Sequence, residues 1–168
     1  MKILDSSVII LFLNDIEEEE CLHLLSEIGE ILLIPESVYG EVSDEDTRSK
    51  MDSLISKSIL SKIEELKSKK EELMRKRFPT LGKGEINVLA WGKSLKSQGE
   101  KFWCVIDEIP GRNAAKKVGL PLTGSIGLIK IIKEKKILNN DKLKEIVDKI
   151  KGSPFWIDEE ILGGLLDE

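Results

Sequence analysis

Three short apolar runs limit the folds open to this chain: residues 2–4 before Asp5, residues 31–34 before Pro35, and residues 102–106 before Asp107. Each is too short for an independent helix. The second and third show no polar alternation, so they read as strands buried on both faces, which is how the strands of a parallel sheet covered by helices look. LPLT, residues 120–123, adds a shorter strand. Between these runs apolar residues recur at helical spacing. Ser6 or Ser7 can cap a first helix through about Leu13, and Cys21, Leu24, Leu25 and Ile28 share one face of a second. Pro35 opens a third that carries Val38 and Glu41. Further helices are expected at 85–96 (Ile86, Leu89, Ala90, Trp91), through Ala114, Ala115 and Val118 up to Gly119, from Ser125, and at about 140–151 and 158–166. Strands alternating with helices predict an α/β fold with right-handed crossovers. In such sheets ligands bind outside the carboxyl ends of the strands.

Length and composition narrow the reading. The chain has 168 residues, enough for one domain with a full core. Charged residues make up 34% and hydrophobic residues 40%, which argues against both a disordered chain and a membrane protein. The longest apolar stretch, residues 8–13, is far short of a span, and no basic flank with a small-residue cleavage site precedes it, so the cytoplasm is the expected location. Cys21 and Cys104 belong to no CxxC pattern and are expected in the core. The single histidine, His23, sits in a helix without a nucleophile motif nearby, which leaves triad chemistry without support. LGKGE lacks the pattern of a nucleotide-binding loop. The net charge of −5 removes the usual basic signature of a nucleic-acid binder, although basic residues do concentrate at 67–77 and 130–136.

From Asp44 to Phe78 the chain is highly charged and glycine-free, with apolar residues at Leu54, Ile55, Ile59, Ile63, Leu66, Leu73 and Met74. One or two solvated helices with a narrow apolar stripe are expected here, a helical arm covering part of the core. The aromatic residues Trp103, Phe155 and Trp156 are expected as core or turn anchors, with base stacking as the other role for Trp156.

The acids carry the chemistry. Asp5 and Asp107 each stand just past an apolar strand, so both emerge on one edge of a parallel sheet. Glu41 follows the second strand, and Glu85 begins a helix after a glycine-rich turn; both positions suit the same edge. Four carboxylates gathered without a cation would repel and raise one another's pKa. A divalent ion removes that conflict, and an all-carboxylate shell favours Mg²⁺ or Mn²⁺ over zinc. Such ions activate water and brace phosphate oxygens, the chemistry of phosphodiester hydrolysis. TGSIG, residues 123–127, places small residues and backbone amides at a helix start; a cap with close packing and a phosphate contact through Thr123 and Ser125 both fit it.

Four stretches together, MKILDSSVII, PESVYGEV, LGKGEINVLAWG and CVIDEIPGRNAAKKVGLPLTGSIGLI, resemble the PIN-domain ribonucleases, in particular their archaeal and bacterial, VapC-like toxin branch. The resemblance covers nearly the whole chain. It implies a single domain over residues 1–168, a three-layer α/β/α sandwich with a central parallel sheet, extended by the charged helical arm at about 44–78. It also implies an acidic pocket that binds Mg²⁺ or Mn²⁺ and cleaves RNA. Asp5, Glu41, Glu85 and Asp107 match the four catalytic, metal-binding acids. Ser6 matches a hydroxyl residue beside the first acid, and Arg112 a basic residue directed at phosphate. Position 108 is Glu where many relatives carry a second Asp. The implied partners are RNA, an antitoxin protein and a second copy of the chain. The rival reading is a catalytically inactive relative that binds RNA or protein through the same scaffold.

Overall fold

The computed structural model describes residues 1–155, 157 and 159–166. Trp156 lies outside the described residues, as do Asp158, Asp167 and Glu168 of the acidic C-terminal stretch. Five parallel strands form one sheet in the order β3-β2-β1-β4-β5: β1 (Lys2–Leu4), β2 (Leu32–Pro35), β3 (Leu60–Ile63), β4 (Trp103–Val105) and β5 (Leu122–Thr123). The register is Ile3 beside Leu33 and Cys104, and Leu4 beside Val105. The chain moves outward from β1 to β2 and β3, then returns to the other side of β1 for β4 and β5. The order therefore reverses between β1 and β4, where this class of sheet opens a crevice.

Strand alternation sorts the core into two layers. Leu4, Leu32, Ile34, Leu60 and Val105 face a core built with α1 (Ser6–Ile10), the π-helical turn Leu11–Asp15, α2 (Glu20–Glu27) and α4 (Glu45–Ser56). The same layer takes α8 (Ser125–Glu134), α9 (Asn140–Gly152) and α10 (Glu159–Gly163). Ile3, Cys104 and Ile106 face the opposite core, built with α5 (Lys69–Arg77), α6 (Lys83–Ser97) and α7 (Ile109–Lys117). Helix α3 (Glu36–Glu41) contributes Val38 to this second core and Tyr39 to the first. The result is the expected α/β/α sandwich. Both cysteines are buried and reduced, as expected. Among the described residues no helix is long and apolar enough to cross a membrane.

Three local expectations change. Residues 60–63 are not helical; they form the edge strand β3, paired with β2 from Leu32–Leu60 to Pro35–Ile63. Ser58 adopts φ +60°, a left-handed residue that stops α4 and turns the chain back along the sheet. The 44–78 stretch is thus partly sheet, and its expected stripe is broken at Leu73, which is 60% exposed. Trp103 is not a core residue either: it is 45% exposed, with the Lys2 ammonium 5.5 Å from its ring centroid. At the first helix neither serine is the cap; Asp5 holds that position in extended geometry, and its side chain makes no capping bond.

Helix α6 presses closest to the sheet at Gly92. A Cβ there would stand 2.9 Å from Cys104 Sγ and 3.0 Å from Leu120 Cδ1. Gly92→Ala should therefore lower stability by about 1–3 kcal/mol through overpacking, read as a lower urea midpoint with an unchanged m-value.

Candidate active site

Strand β1 ends at Leu4, and the next residue is 1% exposed with its backbone N–H donating to Val105 O at 3.0 Å. Asp5 is thereby fixed at the carboxyl edge, between the two central strands. Its Oδ2 accepts from Ser7 Oγ at 2.9 Å, while Oδ1 is buried without a hydrogen-bond partner. Burial pushes the Asp5 carboxyl up to about 7, and the Glu85 and Glu41 charges push in the same direction.

Glu41 closes α3 and turns toward the start of α6. Its Oε1 accepts from the Gly84 amide at 2.6 Å and its Oε2 from Ser6 Oγ at 3.0 Å. Glu85, in the first turn of α6, accepts the Gly82 amide on Oε2 at 3.0 Å, as the third residue of a helix often does. Its Oε1 is buried and unpartnered. Burial raises the Glu85 pKa, and Glu108 and Glu41 add to the rise. Asp5, Glu41 and Glu85 thus form one electrostatically interacting group on the edge facing α6.

Asp107 stands two residues past β4 and, by strand alternation, faces the start of α8 instead. Ser125 holds both its oxygens, the amide donating to Oδ1 at 2.8 Å and the hydroxyl to Oδ2 at 2.5 Å. Burial raises its pKa, the Ser125 bonds and the Arg112 charge oppose the rise, and Glu108 adds to it. A cleft of about 460 Å³ is lined by Ser7, Asp15, Asp107 and Glu108, and it borders the other acids through Ser7, the donor to Asp5.

Two residues expected at the substrate are engaged within the protein. Ser125 is fully buried and donates both its amide and its hydroxyl to Asp107, which holds that acid in place. Arg112 Nη1 donates to Ile106 O at 2.7 Å and Thr123 O at 3.3 Å, tying together the ends of β4 and β5 beside Asp107. Arg112 and Thr123 also line a second cleft of about 610 Å³ that includes Asp107 and Lys130.

What sequence reasoning missed is the glycine beside three of the four acids. A Cβ on Gly111 would come within 2.5 Å of Glu85 Oε1, and one on Gly124 within 2.6 Å of Asp107 Oδ1. A Cβ on Gly84 would collide with the Glu41 carboxylate. These glycines stand at or near the starts of α6, α7 and α8, and that placement next to the acidic motifs was the available signal.

Among the described residues no three His, Cys, Asp or Glu side chains stand close enough to enclose an ion. The donor set nevertheless fits a hard cation: two buried carboxylate oxygens, Asp5 Oδ1 and Glu85 Oε1, accept no hydrogen bond of good geometry, the Ser6 and Gly111 amides near these carboxylates offset only part of the cost of burial, and Glu41 lies beside them.

The geometry can be tested in the metal-free protein. A carboxyl whose folded pKa lies above its unfolded value holds a proton that the unfolded chain releases, so stability is greatest at low pH and falls as pH rises through the folded pKa. For Asp5 the window runs from 3.8 to about 7 and corresponds to about 4 kcal/mol. Metal-free Asp5→Asn should therefore melt several degrees above the metal-free wild type at pH 8, with the difference vanishing near pH 4. Gly84→Ala should retain the fold while displacing Glu41, read as a weakened divalent-ion affinity by calorimetry with a melting temperature within a few degrees of wild type.

No curated protein and no solved structure matches the chain. A family model described as a PIN domain matches residues 1–168, the full length over which the sheet and its acidic edge are built. The chain belongs to the PIN-domain family, whose fold is a nuclease fold.

Proposed function

We propose that this protein is a metal-dependent endoribonuclease using Mg²⁺ or Mn²⁺. The observation that carries the reading is the pair of buried, unpartnered oxygens on Asp5 and Glu85 beside Glu41 at the sheet's crevice. In water-excluded surroundings two such oxygens are costly unless something positive meets them. Asp5, Glu41 and Glu85 would hold the ion, with Asp107 completing the site from the α8 side. When bound, the ion supplies a Lewis acid that draws charge from a phosphodiester and acidifies the water beside it.

The chain's own residues do the positioning. Ser6 and the Gly84 amide fix both oxygens of Glu41, and Ser7 fixes Asp5, so two adjacent hydroxyls on the first turn of α1 serve two different acids. Ser125 locks the Asp107 carboxylate. Arg112 carries positive charge to the same edge while anchoring two strand ends. Burial raises the Asp5 carboxyl in the metal-free protein, so binding of a cation there would be accompanied by loss of its proton. RNA is the substrate class, and an antitoxin protein and a second copy of the chain belong to the toxin form of the same reading.

The test is cleavage of single-stranded RNA with Mn²⁺ by wild type, Asp5→Asn and Asp107→Asn. Each substitution should reduce the rate by at least about a hundredfold, with the folded CD spectrum retained. Equal cleavage by all three proteins sinks the mechanism. RNA binding without cleavage by wild type in either metal makes the protein a binding module.

A further inference from the structure

Helices α5 and α6 form an antiparallel hairpin. Helix α5 ends at Arg77, α6 begins at Lys83, and Lys70 at the other end of α5 donates to Ser97 Oγ near the end of α6 at 2.6 Å. One end of this hairpin carries the acids, since Glu85 lies in the first turn of α6. The other end opens a groove of about 330 Å³ lined by Lys70, Leu73, Met74, Lys93, Lys96 and Ser97. The floor is aliphatic, with Leu73 60% exposed, and the rim is cationic. At 1.5 Å rise per residue, Lys96 lies about 16 Å along α6 from Glu85.

The three lysines have structural duties that leave most of their donors available. Lys93 Nζ donates to Val118 O at 3.3 Å and Lys96 Nζ to Gly119 O at 2.6 Å, finishing the carboxyl end of α7. An ammonium has three donors, so each keeps two. Further cations stand at the same end: Lys116 and Lys117 close α7 next to Val118 and Gly119, and Arg77, the last residue of α5, donates to Lys117 O at 3.4 Å.

We infer that this groove, between α5 and the carboxyl half of α6, holds the phosphate backbone of a single-stranded RNA whose scissile bond lies at the acidic end of the hairpin. The inference rests on the ribonuclease reading and adds a surface to it. A chain of net charge −5 whose site is itself a cluster of carboxylates repels a polyanion. Attraction must come from a local cationic strip on the same layer as the acids, and the α5–α6 hairpin supplies one. The exposed Leu73 on the floor gives a base an apolar surface to lie against while the lysines meet phosphates along a basic groove that tracks the backbone. An acidic peptide would satisfy the lysines alone, without using the apolar floor.

The experiment is fluorescence polarisation of a labelled single-stranded RNA against full-length protein in EDTA, over a series of KCl concentrations. Lys70→Gln/Lys93→Gln/Lys96→Gln should weaken binding about tenfold at low salt. It should also make the log–log salt slope shallower by about 2, near 0.7 for each phosphate that loses its lysine. The triple arginine variant should bind as wild type does. Lys70→Gln alone, which removes a donor to Ser97 Oγ at the exposed rim, should flatten the slope by about 0.7 and covers the case in which the triple variant unfolds. Lys144→Gln/Lys151→Gln, exposed on α9 in the other layer, should leave the slope unchanged. An unaltered slope in the folded triple and single variants overturns the inference, and so does tighter, lysine-dependent binding of a polyglutamate peptide than of RNA. Mn²⁺-dependent cleavage by wild type with lysine-independent binding sinks the groove and spares the nuclease reading. Lysine-dependent RNA binding without cleavage does the reverse.

Discussion

A buried carboxylate at the junction of the central strand and the first helix organises this molecule. Asp5 is held by backbone pairing to β4 and cannot retreat to solvent. Every neighbouring acid must then be accommodated around it. The chain does so by giving each carboxylate its own short-range donors: Ser7 for Asp5, Ser6 and the Gly84 amide for Glu41, the Gly82 amide for Glu85, and Ser125 for Asp107. These bonds are individually modest, near 1–3 kcal/mol for a charged acceptor. Together they hold like charges at one edge and still leave two oxygens without donors.

That arrangement explains why the helix starts are rich in glycine. An acid that takes a bond from a backbone amide, or packs against a helix's first turn, needs room where a side chain would otherwise stand. Gly84, Gly111 and Gly124 provide it for Glu41, Glu85 and Asp107 respectively. The two sides of the crevice are built alike in this respect, although one faces α6 and the other α8.

The sheet was largely legible because its strands are buried on both faces, and burial leaves a continuous apolar run. Strand β3 was not. Only Leu60 of its four residues is fully buried, and Leu54, Ile55, Ile59 and Ile63 recur at a spacing that suits a helix; tertiary pairing with β2 decides otherwise. The four acids were legible from their position after strands or at a helix start. Their partners were not, because which hydroxyl meets which carboxylate depends on how α1, α3 and α8 approach the edge. Ser125 illustrates this: its motif suggested a phosphate contact, and the packing of α8 under β4 turns it toward Asp107. Trp103 misled in the other direction. It opens β4 at the amino edge of the sheet, where its ring stays in solvent beneath Lys2.

The order of the strands has a consequence for synthesis. Of the five strands the central one is made first, yet its neighbour β4 is made about a hundred residues later, when Leu4 finally meets Val105. Until then β1 has only β2 beside it, and the nascent chain carries a half-covered apolar ribbon through most of translation. Asp107 is translated immediately after that closing strand, so the acidic edge of an elongating polypeptide stays incomplete until β4 has been made.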